Sequence, residues 1–383
     1  MSLLHPKNRA ALVEAALGER PFDLVIENIR LLNVFTRELY PARVGIYDGF
    51  IAHVEPVIAD EALEPMAAKE VWDGEDSILA PGYIDAHMHI ESTMMTPRNF
   101  TATALPWGTT TVVTDPHESA NVIGKRAVKY MLDASEDLPM RHFVLAPSCV
   151  PAMPELENSG ASFDAGDIAE LMEHDRVLGL AEVMDYVGVL RNNPRMRSIL
   201  EKALEKGAFV QGHAPRINKR ELSAYLCAGP VSCHESHQGS EAREKIRQGM
   251  FVDARESSMS ANVKSLVSGL AGLGAIPDRF TLCTDNVEPG DLLQRGHMNH
   301  VVHTAFEAGM DPVNAIVCAT YNVAKEIGIR GLGAIAPGYV ADMQILPTLH
   351  SKRPSAVFYR GRLVAADGWL LGEMPGHEHP EEK

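Results

Sequence analysis

Residues 84–92 read IDAHMHIES. Apolar residues precede and separate two histidines, which is the texture of a buried strand. Residues i and i+2 of a strand project to one side, so His87 and His89 share a face and Met88 points the other way. Two imidazoles converging on one point can share a metal ion. The plainer reading is a pair of structural histidines bonded to backbone carbonyls, and so short a motif supports either. Seven further apolar runs repeat the texture: TTTVVTD (109–115), HFVLAPS (142–148), VLGLAEV (177–183), AFVQGHA (208–214), PVSCHES (230–236), MFVDARE (250–256) and FTLCTDN (280–286). Helix-like segments such as RMRSILEKALEK (195–206) and residues 240–248 lie between most of them. Strands alternating with helices build a parallel sheet. Eight such units predict an α/β fold with a closed (β/α)8 TIM-like barrel over residues 81–332.

The strand ends add to this. Glu182 closes LGLAEV, His213 closes FVQGHA, His234 closes VSCHE and Asp285 closes LCTD. In such a barrel the C-terminal ends of the strands open onto one face, where chemistry is placed. His87, His89, Glu182, His213, His234 and Asp285 would then meet in one mouth, and ligand-type residues at so many strand ends outweigh the structural reading. Imidazoles and carboxylates suit zinc, manganese or iron. A carboxylate can bridge two ions, and two ions can lower the pKa of a water held between them. An aspartate beside that water can carry its proton to a leaving group. This is a hydrolase site that needs no nucleophilic side chain.

Composition bounds the rest. The 383 residues carry 35 Lys plus Arg against 51 Asp plus Glu, a net charge of −16. So acidic a chain repels phosphate backbones and anionic lipid, so no nucleic-acid or membrane partner is expected. Five scattered cysteines without a C-x-x-C pair imply neither a disulfide framework nor a cysteine zinc site, and a reducing, cytoplasmic setting follows. The start shows no signal peptide, and no apolar run reaches the roughly 18 residues of a membrane span. Residues 23–56 alternate apolar and polar residues around turns such as Asp48-Gly49, and the texture returns at 341–346 and 356–364. The expected division is a helix and the first part of a small discontinuous β-sandwich domain in 1–80, the barrel in 81–332, the second part of the sandwich in 333–372, and a disordered tail in 373–383.

Several stretches resemble the amidohydrolase superfamily and, within it, the bacterial adenine deaminases. They are HMHIEST (87–93), TDPHESANV (114–122), PSCVPAMP (147–154), GLAEVMDYVGV (179–189), GHAP (212–215), LCTD (282–285), DLLQRGHMNHVV (291–302) and GAIAPGYVAD (333–342). The resemblance implies two divalent ions, manganese or iron with zinc as an alternative. One would be held by His87, His89 and Asp285, the other by His213 and His234, with Glu182 bridging and Asp285 shuttling protons. It also implies hydrolysis of adenine to hypoxanthine and ammonia, a small purine as partner, and a homo-oligomer. Another aminopurine, a pterin or a cyclic amide is the alternative substrate, and a silent purine-binding homologue the alternative class. The sequence departs from the family pattern at Gln211, Cys233 and Asn286, where aspartates are usual, and it stops at Lys383 where relatives commonly continue into a further domain.

Other residues have competing readings. Asp115, His117 and Glu118 in DPHES could bind substrate or a further metal, or form a helix N-cap cluster. Glu91 and Asp185, inside matched motifs, are expected beside the substrate with His117 and Glu118. Glu235 and His237 follow His234 and are assigned catalytic roles toward the purine, against a supporting role for the ligands. His297 would approach the site, while His300 and His303 would lie at the surface. His377 and His379 repeat the H-x-H pattern in an acidic tail and are read as solvated.

Overall fold

The computed structural model describes residues 4–154 and 156–375. The helix Arg9–Ala16 opens on Asn8, whose side chain accepts from the Ala11 N–H, and buries Ala11, Leu12 and Ala15. Four strands follow: β1 (Phe22–Asn33), β2 (Glu38–Tyr47), β3 (Phe50–Pro56) and β4 (Ala68–Pro81). Tyr47 pairs with Phe50 across a two-residue turn. Asp48 and Gly49 there have φ of 47° and 78°, the left-handed pair that matches strand twist in a tight hairpin.

Next come β5 (Tyr83–Met88), β6 (Thr109–Thr114), β7 (Arg141–Ala146), β8 (Val177–Val183), β9 (Phe209–Gly212), β10 (Ser232–Cys233), β11 (Phe251–Arg255) and β12 (Phe280–Cys283). Every apolar run of the central region contains one of these strands. Helices lie between them, among them Pro194–Glu205 and Gly239–Arg247. All pair in parallel, in sequence order, as a five-stranded sheet β5 to β9 and a three-stranded sheet β10 to β12.

The ladder is interrupted twice, for local reasons. Between β9 and β10, Pro230 has no N–H to donate, β10 is two residues long, and the contact is carried by Val231 N–H to Val210 O at 3.0 Å. Between β12 and β5, the Asp85 carboxylate takes the backbone N–H groups of His87 (3.2 Å) and Thr284 (3.1 Å). What remains there is Asp285 N–H to His87 O at 3.0 Å and a parallel bridge from Met88 to Asp285.

The last strands are β13 (Met343–Leu346), β14 (Ala356–Tyr359), β15 (Arg362–Ala366) and β16 (Trp369–Leu370). They join the N-terminal strands, but in one eight-stranded sheet ordered β16-β15-β14-β13-β4-β1-β2-β3. The expectation from sequence is a small β-sandwich, and the strands of both termini are observed in one continuous sheet. The 14-residue β4 pairs with β1 over most of its length and with β13 at its end, so no seam divides the halves. The register shifts in β1 near Glu27 and Ile29. Trp72 of β4 meets Phe358 of β14 edge-on at 5.4 Å between ring centres, and both halves share the cluster of Ile26, Leu31, Val44, Met343 and Phe358.

No described helix is long and apolar enough to cross a membrane. Of the expected tail, residues 373–375 run without regular structure, and Arg98 donates to the carbonyls of Met374 and Pro375. His377 and His379 lie outside the described residues.

Candidate metal centre

The pleat of β5 turns Asp85, His87 and His89 toward the space between the strands, while Ala86 and Met88 join apolar clusters. Glu182 is the penultimate residue of β8, and His213, His234 and Asp285 each lie one or two residues beyond β9, β10 and β12. The chain turns sharply at Asp285, whose φ of 60° is left-handed and uncommon outside glycine, though aspartate tolerates it.

The six side chains converge. Glu182 Oε1 lies 3.9 Å from His87 Nε2 and 3.5 Å from His89 Nε2. Its other oxygen, Oε2, lies 2.5 Å from His213 Nδ1 and 3.2 Å from His234 Nε2. Asp285 Oδ1 lies 3.6 Å from His87 Nε2 and 3.3 Å from His89 Nε2. The rings of His87 and His234 stack at 4.0 Å, and His213 stands edge-on to His234 at 5.1 Å.

A divalent ion fits these residues. Ligand bonds of about 2.0–2.2 Å around a tetrahedral or octahedral ion put neighbouring ligand atoms roughly 3.0–3.6 Å apart, and most separations here fall in that range. Among the described residues, His87 Nε2 and Asp115 Oδ1 are buried without a hydrogen-bond partner. Burial alone would lower the His89 pKa, yet Asp285 and Glu182 raise it to about 9. Burial alone would raise the pKa of Glu182 and Asp285, yet the surrounding histidines hold both well below the usual carboxylate range. The two carboxylates draw positive charge into the cluster, which a bound cation would supply. Four groupings of these residues with their neighbours bring ligand atoms within 4.8 Å of one another: His87–His89–Asp285, His87–Glu182–His234, His213–His234–Glu235 and His89–Asp115–His117–Glu182.

Supporting contacts aim the ligands. Gln211 Oε1 meets His87 Nδ1 at 2.8 Å while its Nε2 donates to Ala86 O. The Asp115 carbonyl meets His89 Nδ1 at 2.8 Å. Such bonds direct the opposite ring nitrogen, Nε2, at the centre. The Tyr225 hydroxyl accepts from the His213 N–H and donates to Val183 O, each at 2.9 Å. Lys245, fully buried, donates to Ala214 O (2.8 Å), Ser236 Oγ (3.1 Å) and Glu241 (2.8 Å), joining the loops that carry His213 and His234. Asn262 donates to the carbonyls of His234 and Ser236. Arg255 ends β11 between Glu235 and Asp285 and donates to both.

The remaining expected residues divide. His117 belongs with the cluster: its Nδ1 is 2.8 Å from Asp115 Oδ2 and 3.4 Å from Glu182 Oε1. The helix that starts at His117 has Pro116 as its N-cap residue and no side-chain cap, so Asp115 does not cap it, while Glu118 stands in its first turn. Glu118 accepts from Ser92 and Asn286 at the rim. Glu91 accepts from the Ser119 N–H through Oε1, and its Oε2 is buried without a partner. Glu235 is buried; His237 is largely exposed, its Nε2 3.8 Å from Glu235 Oε2. Asp185 is occupied in capping the helix Tyr186–Leu190 and is not gathered into the cluster. His297 is buried between Thr109, Thr284 and Asp85. His300 and His303, expected at the surface, are half-buried.

Sequence reasoning missed Arg255, Lys245, Tyr225 and Asn262. Of these only Arg255 sat where a signal existed, at the end of a recognised strand.

Comparisons with known proteins find several relatives. "Adenine deaminase" of Methanothrix thermoacetophila is 39% identical over 96% of this chain and 62% of its own length. "Adenine deaminase 2" of Carboxydothermus hydrogenoformans is 40% identical over 93% of this chain and 60% of its own. "Adenine deaminase 3" of Rhizobium meliloti is 38% identical over 99% and 64%. The chain thus spans about three fifths of the length of these relatives. Among solved structures, an adenosine deaminase from Xanthomonas campestris with bound zinc superposes with a TM-score of 0.69 at 16% identity, covering 92% of this chain and 95% of that one. N-isopropylammelide isopropylaminohydrolase from Burkholderia multivorans gives 0.64 at 15% identity, covering 91% and 99%. At such low identity these two speak for the fold alone. The model of the amidohydrolase family matches residues 78–364, a span that holds every residue of the cluster, and the chain belongs to that family.

Proposed function

We propose that this chain is a metal-dependent aminohydrolase that converts adenine and water to hypoxanthine and ammonia. The observation that carries the reading is the two-sided placement of Glu182, with one oxygen toward His87 and His89 and the other toward His213 and His234. A carboxylate shared by two ions needs that arrangement. Membership of the amidohydrolase family implies a divalent metal. On this reading His87, His89 and Asp285 hold one ion, His213 and His234 a second, and Glu182 both, with manganese or iron favoured and zinc compatible with the donors. When bound, the pair would lower the pKa of a water molecule, so that a nucleophile is available near neutral pH.

The protein's own groups do the rest. Asp285 takes the water proton as attack occurs at the purine C6 and delivers it to the departing amine. Glu235, next in sequence to the ligand His234, hydrogen-bonds the purine ring, whose nitrogen ends with the second water proton while the first leaves in the ammonia. His237 stands at the rim behind Glu235, and Glu91, His117 and Glu118 line the approach. The eight parallel strands act as one closed barrel that holds these groups in register. The name adenine deaminase carried by the relatives supports the choice of purine, and the unpaired cysteines favour a reducing compartment such as the cytoplasm. We read the assembly as a homo-oligomer.

The test is an ammonia-release screen over aminopurines, pterins and cyclic amides with protein reconstituted in manganese, iron or zinc. Adenine should be turned over with a shift in ultraviolet absorbance. Metal-loaded Asp285→Asn should lose about 10²- to 10⁴-fold in kcat, the range for removal of a general acid–base. Turnover of another class with none of adenine refutes the substrate. Purine binding without any turnover marks a silent homologue.

A further inference from the structure

Arg255 sits where the chemistry of the site leaves a question open. Glu235 and Asp285 are both buried and both carboxylates, and the guanidinium lies between them. Its Nη1 donates to Glu235 Oε1 and, at 2.5 Å, to Asp285 Oδ2, while Nη2 donates to Ser260 Oγ at 3.1 Å. The backbone N–H of Arg255 is held by Asn262 Oδ1 at 2.8 Å, and Asn262 Nδ2 donates to the His234 and Ser236 carbonyls at 3.1 and 2.9 Å. One arginine and one asparagine thus lock the ends of β10, β11 and β12 together.

The second fact is what Glu235 could otherwise do. Its carboxylate Oε1 lies 3.8 Å from His234 Nε2, and Glu235, His213 and His234 form one of the groups able to hold a metal. A free glutamate there would turn onto the ion and be lost to the substrate. Asp285 has a matching hazard: with both oxygens free it could chelate through both and keep no acceptor for a proton. Its Oδ1 faces His87 and His89 while its Oδ2 is bound to Arg255. A single nitrogen shared by two carboxylates also offsets the repulsion that would drive them apart.

We infer that Arg255 is a positioning residue that keeps Glu235 out of the metal coordination sphere and holds Asp285 to one metal-facing oxygen, leaving both carboxylates for the purine and its proton transfers. This rests on the deaminase reading above for the substrate, and on the cluster geometry alone for the coordination.

The experiment compares Arg255→Met, Arg255→Lys, Glu235→Gln and the Arg255→Met/Glu235→Gln double variant with the parent, all manganese-reconstituted full chains. Arg255→Met should bind the same number of ions and release them to a chelator no faster than the parent, because Glu235 becomes an added ligand. Its kcat for adenine should fall about 100-fold, the scale of an ångström-sized misplacement, with KM changed less than about threefold. The double variant should lose clearly less than the product of the two single losses, because Arg255 acts in part through Glu235. Arg255→Lys should recover at least about tenfold over Arg255→Met, an ammonium still bridging two carboxylates. Metal lost in step with activity, or losses that multiply in the double variant, would overturn the proposal. If the parent releases no ammonia from adenine, the deaminase reading has failed. The coordination claim is then decided by the crystal structure of metal-loaded Arg255→Met: Glu235 on the ion supports it, and Glu235 unmoved refutes it.

Discussion

His87 can present its Nε2 lone pair to a cation only while its proton sits on Nδ1, and Gln211 is the group that holds it there. The amide oxygen accepts from Nδ1 at 2.8 Å and the amide nitrogen donates to Ala86 O at 3.0 Å, which fixes the amide's orientation. Partners of this kind, behind a metal ligand, are worth about 10- to 100-fold in metal affinity. Gln211→Ala should weaken manganese binding by that factor, read by chelator competition on the apo-protein. Gln211→Asp keeps an acceptor opposite Nδ1, so its affinity should stay within about tenfold of the parent. Equal loss in both variants would assign Gln211 to packing and not to the orientation of the imidazole. Gln211 is not one of the six clustered side chains, so its departure from the aspartate that the resemblance leads one to expect leaves the ligand set whole.

The strands were legible because periodicity and β-branched runs reach the eye without any knowledge of contacts. All eight central runs became strands, His87 and His89 shared a face, and the ligand-type residues stood at the strand ends. What the residues did not display were the consequences of contact. Nothing local announces that the Asp85 carboxylate will take two backbone N–H groups and break the ladder beside β5. The search for metal-binding side chains also passed over Arg255, which is no ligand, although its strand was recognised. Glu326 is a further case. It ends the helix Tyr321–Glu326 and carries a buried carboxyl toward Asp253 of β11, Thr281 of β12 and Ser232 of β10. Burial first, then the charge of Asp253, raises its pKa well above the ordinary 4.5. The folded protein therefore binds more protons than the unfolded chain above pH 4.5. This contribution is fully present below that pH and is lost as pH rises toward the folded-state value. Between pH 5 and 8 the parent should lose stability from this group as pH rises. Urea unfolding across that range should show Glu326→Gln with a shallower slope and at least parental stability at pH 8. An unchanged slope would mean that Glu326 is ionised in the folded protein.

At the scale of the molecule, the six clustered side chains come from β5, β8, β9, β10 and β12 or the residues just after them, so an ion held there fastens strands from both parallel sheets at once. The order of these strands was readable from the alternation of strand and helix. The continuity of the eight-stranded sheet was not, because it depends on β4 pairing with β1 along one part and β13 along another. The two layers are also tied directly: Arg141 of β7 donates to Asp342 at 2.5 Å, with both side chains buried. Metal therefore belongs to the stability of the whole fold and not to one loop. A ligand that binds only the folded state at 100 times its Kd adds about 2.7 kcal/mol, and two such ions would add about twice that if they bind independently. Chelation of the reconstituted protein should lower the midpoint of thermal unfolding as a single cooperative shift, and returning manganese should restore it. Glu182→Gln should abolish most of that shift. The glutamine keeps the size of the side chain but not the charge that faces both groups of histidines. If chelation leaves the midpoint in place while metal analysis shows the ions gone, the cluster was assembled by the parallel strands without their help. If Glu182→Gln shifts as far as the parent, the carboxylate does not join the two halves of the centre. The arrangement of Glu182 between His87–His89 and His213–His234 predicts neither result.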